Sequence, residues 1–417
     1  MAASVVVAIV VALAACSADP EVEIDLPPQS DAALPEALTA QLEGAVTSAM
    51  ASAGASGAIV GVWAPWSGAW VSGLGTQYPG SGGAVSPEMS FRIAQLTRPM
   101  TCDVLYAVAA EGSVKLDDPV PKYVAGVADL TDITLEQLCD GTSGIGSYAG
   151  QLRPLWESNP TRVWNPRELA SFGLGEDRST GPGAAYRDSD AGYVLLGLAL
   201  ERATGKSADA LIAQYISTPL GLTGTNLPKG AAAPPSKSAL AGLLSSPIEG
   251  GLDCVTPRDV TDLSASIGFT DSGVVSNLED LRRYVQALAS GASTPAGSAE
   301  GRFDESKPTY DSAPSWLTSA GGATIAGSLI GQSGFVPGYA TAAYSDASTG
   351  LTVVVVLNNS AKGSEIVNSL AWELAALASK APASSGETVP EGGLPWTAEQ
   401  YHAAIAAAAS CAPPPAG

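Results

Sequence analysis

Four consecutive valines, Val353 to Val356, lie within the stretch LTVVVVLNN at 351–359. Successive side chains of a strand point to opposite faces, so an unbroken β-branched run predicts a central strand covered on both sides. Two strand patterns precede it, GSLIGQSGF (327–335) and YATAAYSD (339–346), and a helical pattern, SEIVNSLAWELAALAS (364–379), follows. Near the other end, ALPEALTAQLEGAVTSAM (33–50) has apolar residues at helical spacing, and GAIVGVWA with GAWVSGLG (57–75) reads as a hairpin. Strand patterns thus occupy both ends of the chain, and the middle must loop out from one sheet.

That middle alternates helical segments with Gly/Pro loops. Residues 95–111 read as a helix with Pro99 near its first turn, where a missing N–H is tolerated. Residues 190–205 and 277–291 read as helices closed by Gly205 and Gly291. The expected fold is α/β (α+β): an antiparallel sheet of about five strands, flanked by N- and C-terminal helices, with a mainly helical insert. The boundaries are 35–111 and 316–380 for the sandwich, 112–315 for the insert and 381–417 for a Pro/Ala-rich tail, loosely wrapped unless Cys411 pins it.

Charge narrows the partners. The 417 residues carry 20 Lys+Arg against 41 Asp+Glu, a net −21, and no basic run, so neither nucleic acid nor an anionic lipid surface is an expected partner. The apolar run 2–15 is too short to span a bilayer and ends in LAAC at 13–16. Residues 1–15 read as a signal peptide with a lipobox-like end, Cys16 as the lipidated residue and 16–34 as a tether. The expected location is the outer face of a bacterial cytoplasmic membrane, with lipid as the only membrane attachment. Cys102, Cys139, Cys254 and Cys411 remain, an even number in an oxidising compartment; four cysteines allow three pairings, so up to two disulfides are expected. No metal site or cofactor is expected: there is no CxxC unit, His402 is the lone histidine, and Asp117-Asp118 reads as a turn.

Five blocks then carry a resemblance. FRIAQLTRPMT (91–101), EGSVKLDDPVPKYV (111–124), ITLEQLCDGTSGI (133–145), AYRDSDAGYVLLG (185–197) and GQSGFVPGYATAAYSDASTGLTVVVVLNN (331–359) come in the order found in β-lactamase-related serine hydrolases. That family, with the β-lactamase/transpeptidase-like fold, includes class C β-lactamases, D-alanyl-D-alanine carboxypeptidases and related esterases. The resemblance implies a site built from a Ser-x-x-Lys helix start, a Tyr-x-Asn block and a Lys/His-x-Gly strand. The corresponding residues here are Gln95 and Arg98, Tyr186 and Asp188, and Gln332, Ser333 and Gly334.

These exchanges remove the family's chemistry. An attacking hydroxyl needs an adjacent base, whereas a primary amide is no nucleophile and a guanidinium does not give up its proton. No lysine has a serine three residues before it, no Gly-x-Ser-x-Gly elbow is present, and Thr97 reads as a packing residue. Arg98 and Asp188 are expected to form a buried ion pair, with Gln95, Tyr186 and Gln332 as hydrogen-bond partners. Tyr193 and Trp372 read as core. The expected function is that of a non-hydrolytic pseudoenzyme of the cell envelope, binding a peptidoglycan stem peptide, another carboxylate ligand met by Arg98, or an envelope protein. The alternatives are an active hydrolase with a non-standard nucleophile and an envelope scaffold.

Overall fold

The computed structural model describes residues 22–127, 130–178, 180–230 and 232–411. Helix α1 (Glu36–Ala53) leads into the hairpin β1 (Gly57–Ala64) and β2 (Gly68–Tyr78), followed by a short β3 (Ser81–Ala84). Next come α2 (Thr97–Ala110), α3 (Ala149–Ser158), α4 (Asp190–Thr204), the single turn α5 (Phe269–Ser272) and α6 (Leu278–Ser290). The chain then returns to the sheet through β4 (Lys307–Pro308), β5 (Leu317–Ala320), β6 (Ala323–Ala326), β7 (Leu329–Val336), β8 (Tyr339–Ser345) and β9 (Thr352–Leu357). Helices α7 (Glu365–Ala378) and α8 (Ala398–Ala407) close it.

The strands form one antiparallel sheet in the order β4-β5-β6-β7-β8-β9-β1-β2-β3. The five expected strands are its contiguous centre. Four short strands extend the edges, so the expectation of about five is corrected to nine. Segments such as SGGA and ATIA are too short and too small-sided to display an alternation.

The valine run is central because β9 pairs with β8 on one side and β1 on the other; Val353 stands opposite Tyr344 and Val62. Val353 and Val355 enter one core with α1 and α7, while Val354 and Val356 enter the other with α2 and the inserted helices. All four are fully buried. The second core runs without a break from the sheet face into the insert, with α2 as the seam: every residue from Thr97 to Val108 is buried. A helix buried all round occupies such a position, and its polar residues Arg98 and Asp103 find buried partners there.

The ends are more firmly held than the sequence implies. The signal segment 1–15 and Cys16 lie outside the described residues, but the part of the expected tether that is described, 22–34, runs along the body. Val22, Ser30 and Leu34 donate backbone hydrogen bonds to Pro219, Pro65 and Ala69. Of the two expectations for the tail, the pinned one is found: a Cys254–Cys411 disulfide fastens it, it contains α8, and Trp396 is buried against α7. Apolar residues spaced too widely to form a stripe in the sequence pack here onto an aromatic cluster of Trp316, Trp372 and Tyr401. A second disulfide, Cys102–Cys139, ties α2 to the short helix Leu135–Cys139. Among the described residues no helix is long and apolar enough to cross a membrane.

Candidate functional site

Five of the sequence-predicted residues, Gln95, Arg98, Tyr186, Asp188 and Gln332, line one cavity of about 440 Å³ between the β7 edge of the sheet and the insert; Ser333 and Gly334 line it too. The space is therefore open. Three elements build it: the entry to α2, the loop that caps α4, and β7.

The α2 entry starts from strained backbone. Ala94, fully buried, has φ +52°, a left-handed conformation that costs a non-glycine residue about 1–3 kcal/mol. Thr97 steadies the turn: its hydroxyl donates to Ala94 O at 2.8 Å and accepts from Val274 N at 3.2 Å. Its oxygen is committed and fully buried, consistent with a packing role. Behind the helix, buried Asp103 pairs with Arg302 and accepts from Tyr284 Oη at 2.7 Å and Ser293 Oγ at 3.1 Å. Arg302 also donates to Pro99 O at 3.2 Å, anchoring the Ser/Gly/Pro-rich stretch before β5 to α2.

Gln95 then projects against β7. Its Oε1 accepts from Phe335 N at 2.7 Å, and its Nε2 lies 3.4 Å from Asp271 Oδ2. This close approach depends on Gly334: a Cβ there would fall 2.1 Å from Gln95 Oε1 and 2.7 Å from Gln95 N. A backbone N–H presented to a reaction cavity is the kind of donor that stabilises an oxyanion. Here a side-chain amide carbonyl already occupies it.

Arg98 is held by two aspartates rather than one. Its Nη1 donates to Asp188 Oδ1 at 2.6 Å and its Nε to Asp271 Oδ1 at 2.7 Å, while Tyr193 stacks 4.7 Å from the guanidinium carbon. Arg98 and Asp271 are 5% and 2% exposed, but Asp188 is 68% exposed. The expected buried Arg98–Asp188 pair is therefore corrected: the contact exists, Asp188 faces the open cavity, and the buried partner is Asp271. Nor is Arg98 free to meet a ligand carboxylate as expected, because two carboxylates already engage it. Asp271 lies in GFTDSG, which carries no motif, so only folding reveals its role. Its segment also starts from strain: Phe269 has φ +41°, and it and Ala94 are the only non-glycine residues in the left-handed region among those described.

The other expected partners point elsewhere. Gln332 Nε2 donates to Gly322 O at 3.0 Å, and its Oε1 accepts from Thr324 Oγ1 at 3.2 Å and from Ser333 N at 2.9 Å. Tyr186 packs against Gly141, where a Cβ would sit 2.6 Å from its ring, and its phenol lies beside Ser319. Tyr193 is core, and so is Trp372, although Trp372 also reaches the cavity wall. Asp118 accepts from Lys122 Nζ, Tyr123 Oη and Lys115 N, which hold its carboxyl at about 2, while His402 pairs with Glu373 at 2.9 Å on α7. Neither lines the cavity.

Burial draws the Arg98 guanidinium down, but Asp188 and Asp271 outweigh it and hold it well above its ordinary value, so Arg98 stays charged. Burial pushes Asp271 up despite Arg98. Asp190, one turn into the same wall, is pushed up to about 7 by burial and the neighbouring Asp271, even though it accepts from Tyr148 N and Ala149 N. Among the described residues no lysine or histidine lines the cavity to serve as a base. Among the described residues no cluster of His, Cys, Asp and Glu is placed to hold a metal ion.

The fold is that of a known family. The Beta-lactamase family model matches residues 42–377, and the chain belongs to that family. Over 156 residues it is 33% identical to the D-alanyl-D-alanine-carboxypeptidase/endopeptidase AmpH of Escherichia coli (strain K12), a match covering 34% of this chain and 39% of that protein. The chain thus spans about two fifths of the length of that curated relative. Among solved structures, a D-stereospecific amidohydrolase from Streptomyces sp. superposes with a TM-score of 0.67 at 24% identity, over 78% of this chain and 95% of the other. The octameric penicillin-binding protein homologue from Pyrococcus abyssi gives 0.68 at 23% identity, over 81% and 77%. At these identities the likeness is one of fold.

Proposed function

We propose that this chain is a non-hydrolytic binding protein of the cell envelope, exported as a lipoprotein through Cys16, whose cavity holds a short peptide or amide without cleaving it. The observation that carries the reading is the Gln95 side chain: its carbonyl takes the Phe335 N–H at 2.7 Å, in the place where a substrate carbonyl would have to enter. Arg98, locked between Asp188 and Asp271, supplies no base. The names of the similar proteins, a D-alanyl-D-alanine carboxypeptidase/endopeptidase and a D-stereospecific amidohydrolase, favour a peptidoglycan stem peptide as the ligand.

Purified protein should turn over neither nitrocefin nor p-nitrophenyl acetate nor a D-alanyl-D-alanine peptide, and a fluorophosphonate probe should leave it unlabelled. Several hydroxyls line the cavity, among them Ser147, Ser272 and Ser333. Stoichiometric labelling at any of them, with product release, would establish the hydrolase reading instead.

A further inference from the structure

The charges in the cavity do not suit an anion. Its charged lining residues are Arg98, Arg153, Asp188, Asp190 and Asp271. Arg153 sits at the rim over Phe335, with its Nε on Glu157 at 3.0 Å, so its charge is already matched. Arg98 is matched by Asp271 at 2.7 Å, in a contact that burial protects from solvent. Asp188 is left over. Only its Oδ1 has a partner among the described residues, and its side chain is 68% exposed. The walls contribute Trp156, Tyr186, Phe335 and Tyr344, and the volume of about 440 Å³ suits a small ligand.

We propose that the cavity selects ligands bearing a protonated primary amine next to an apolar group, with the ammonium meeting Asp188 and the apolar part lying on the aromatic wall. This deepens the binding reading above: the recognised end of a peptide-like ligand is its amine rather than its carboxylate. A carboxylate entering the same space would have to sit against Asp188 or displace it from Arg98.

Three probes of matched size separate the possibilities by isothermal titration: benzylamine (protonated at pH 7), phenylacetate and benzyl alcohol. Benzylamine should bind at least tenfold more tightly than phenylacetate and more tightly than benzyl alcohol. In Asp188→Asn the benzylamine affinity should fall about tenfold, towards that of benzyl alcohol, and an unshifted melting temperature would show that the fold is intact. Phenylacetate binding as tightly as benzylamine, an Asp188→Asn variant that binds benzylamine as well as the parent, or no heat from any probe would each overturn the proposal. Nitrocefin and p-nitrophenyl acetate assays on the same sample keep the two claims apart. Turnover with amine selectivity intact would refute the non-hydrolytic reading alone, and lost selectivity without turnover would refute this one alone.

Discussion

Replacing Arg98 by alanine tests the electrostatics of the site directly. The substitution leaves Asp271, 2% exposed, as a buried carboxylate without its cation, and loses the contact with Asp188, which is 68% exposed. Breaking a buried pair from one side costs about 3–5 kcal/mol, whereas an exposed ion pair is worth roughly 0–1 kcal/mol, so Asp271 sets the scale. An unfolding entropy of about 2.1 cal/mol/K per residue corresponds to roughly 0.8 kcal/mol per degree for a chain of this size, so Arg98→Ala should lower the melting temperature by about 4–6 °C. Asp188→Ala should lower it by about 1 °C or less. The double change Arg98→Met with Asp271→Leu, which removes both charges and keeps the volume filled, should recover most of the loss. Differential scanning fluorimetry of the four proteins decides the matter. An Arg98→Ala melting temperature within a degree of the parent, or an Asp188→Ala loss as large as that of Arg98→Ala, would refute the reasoning, because either would mean that the buried Asp271 contact carries no weight.

Two further predictions concern stability. Cys411→Ser opens the Cys254–Cys411 link, which spans 157 residues, and should cost about 2–4 kcal/mol; limited proteolysis should then cut near α8 while leaving the sheet whole. An uncut tail would show that the aromatic packing holds it unaided. The pH dependence follows from buried carboxylates raised above their unfolded values, Asp190 to about 7 and Asp140 to about 6. Between the unfolded value of about 4 and those folded values the native state holds more protons than the unfolded chain, so stability falls as pH rises through that window. The melting temperature should be higher at pH 5 than at pH 8, and the opposite order would mean that these groups are ionised and satisfied in the native state.

Much of this protein was legible before folding, because the signals are local. The valine run fixes a two-sided strand, the Gly-terminated helices at 190–205 and 277–291 carry their own stop signals, and the absence of any Ser-x-x-Lys spacing can be read directly from the sequence. What folding decided depends on contacts that no local pattern encodes. Asp271 meets Arg98 across 173 residues, Phe335 N meets Gln95 across 240, and one of three cysteine pairings is selected by which loops the core brings together. Side-chain periodicity reports which face of an element is buried; it does not report which distant residue faces it there. The sequence therefore determined the family frame and the absence from this chain of any Ser-x-x-Lys spacing. Only the tertiary structure determined that the vacated space stays open, with its arginine neutralised by two carboxylates and its backbone donor already taken.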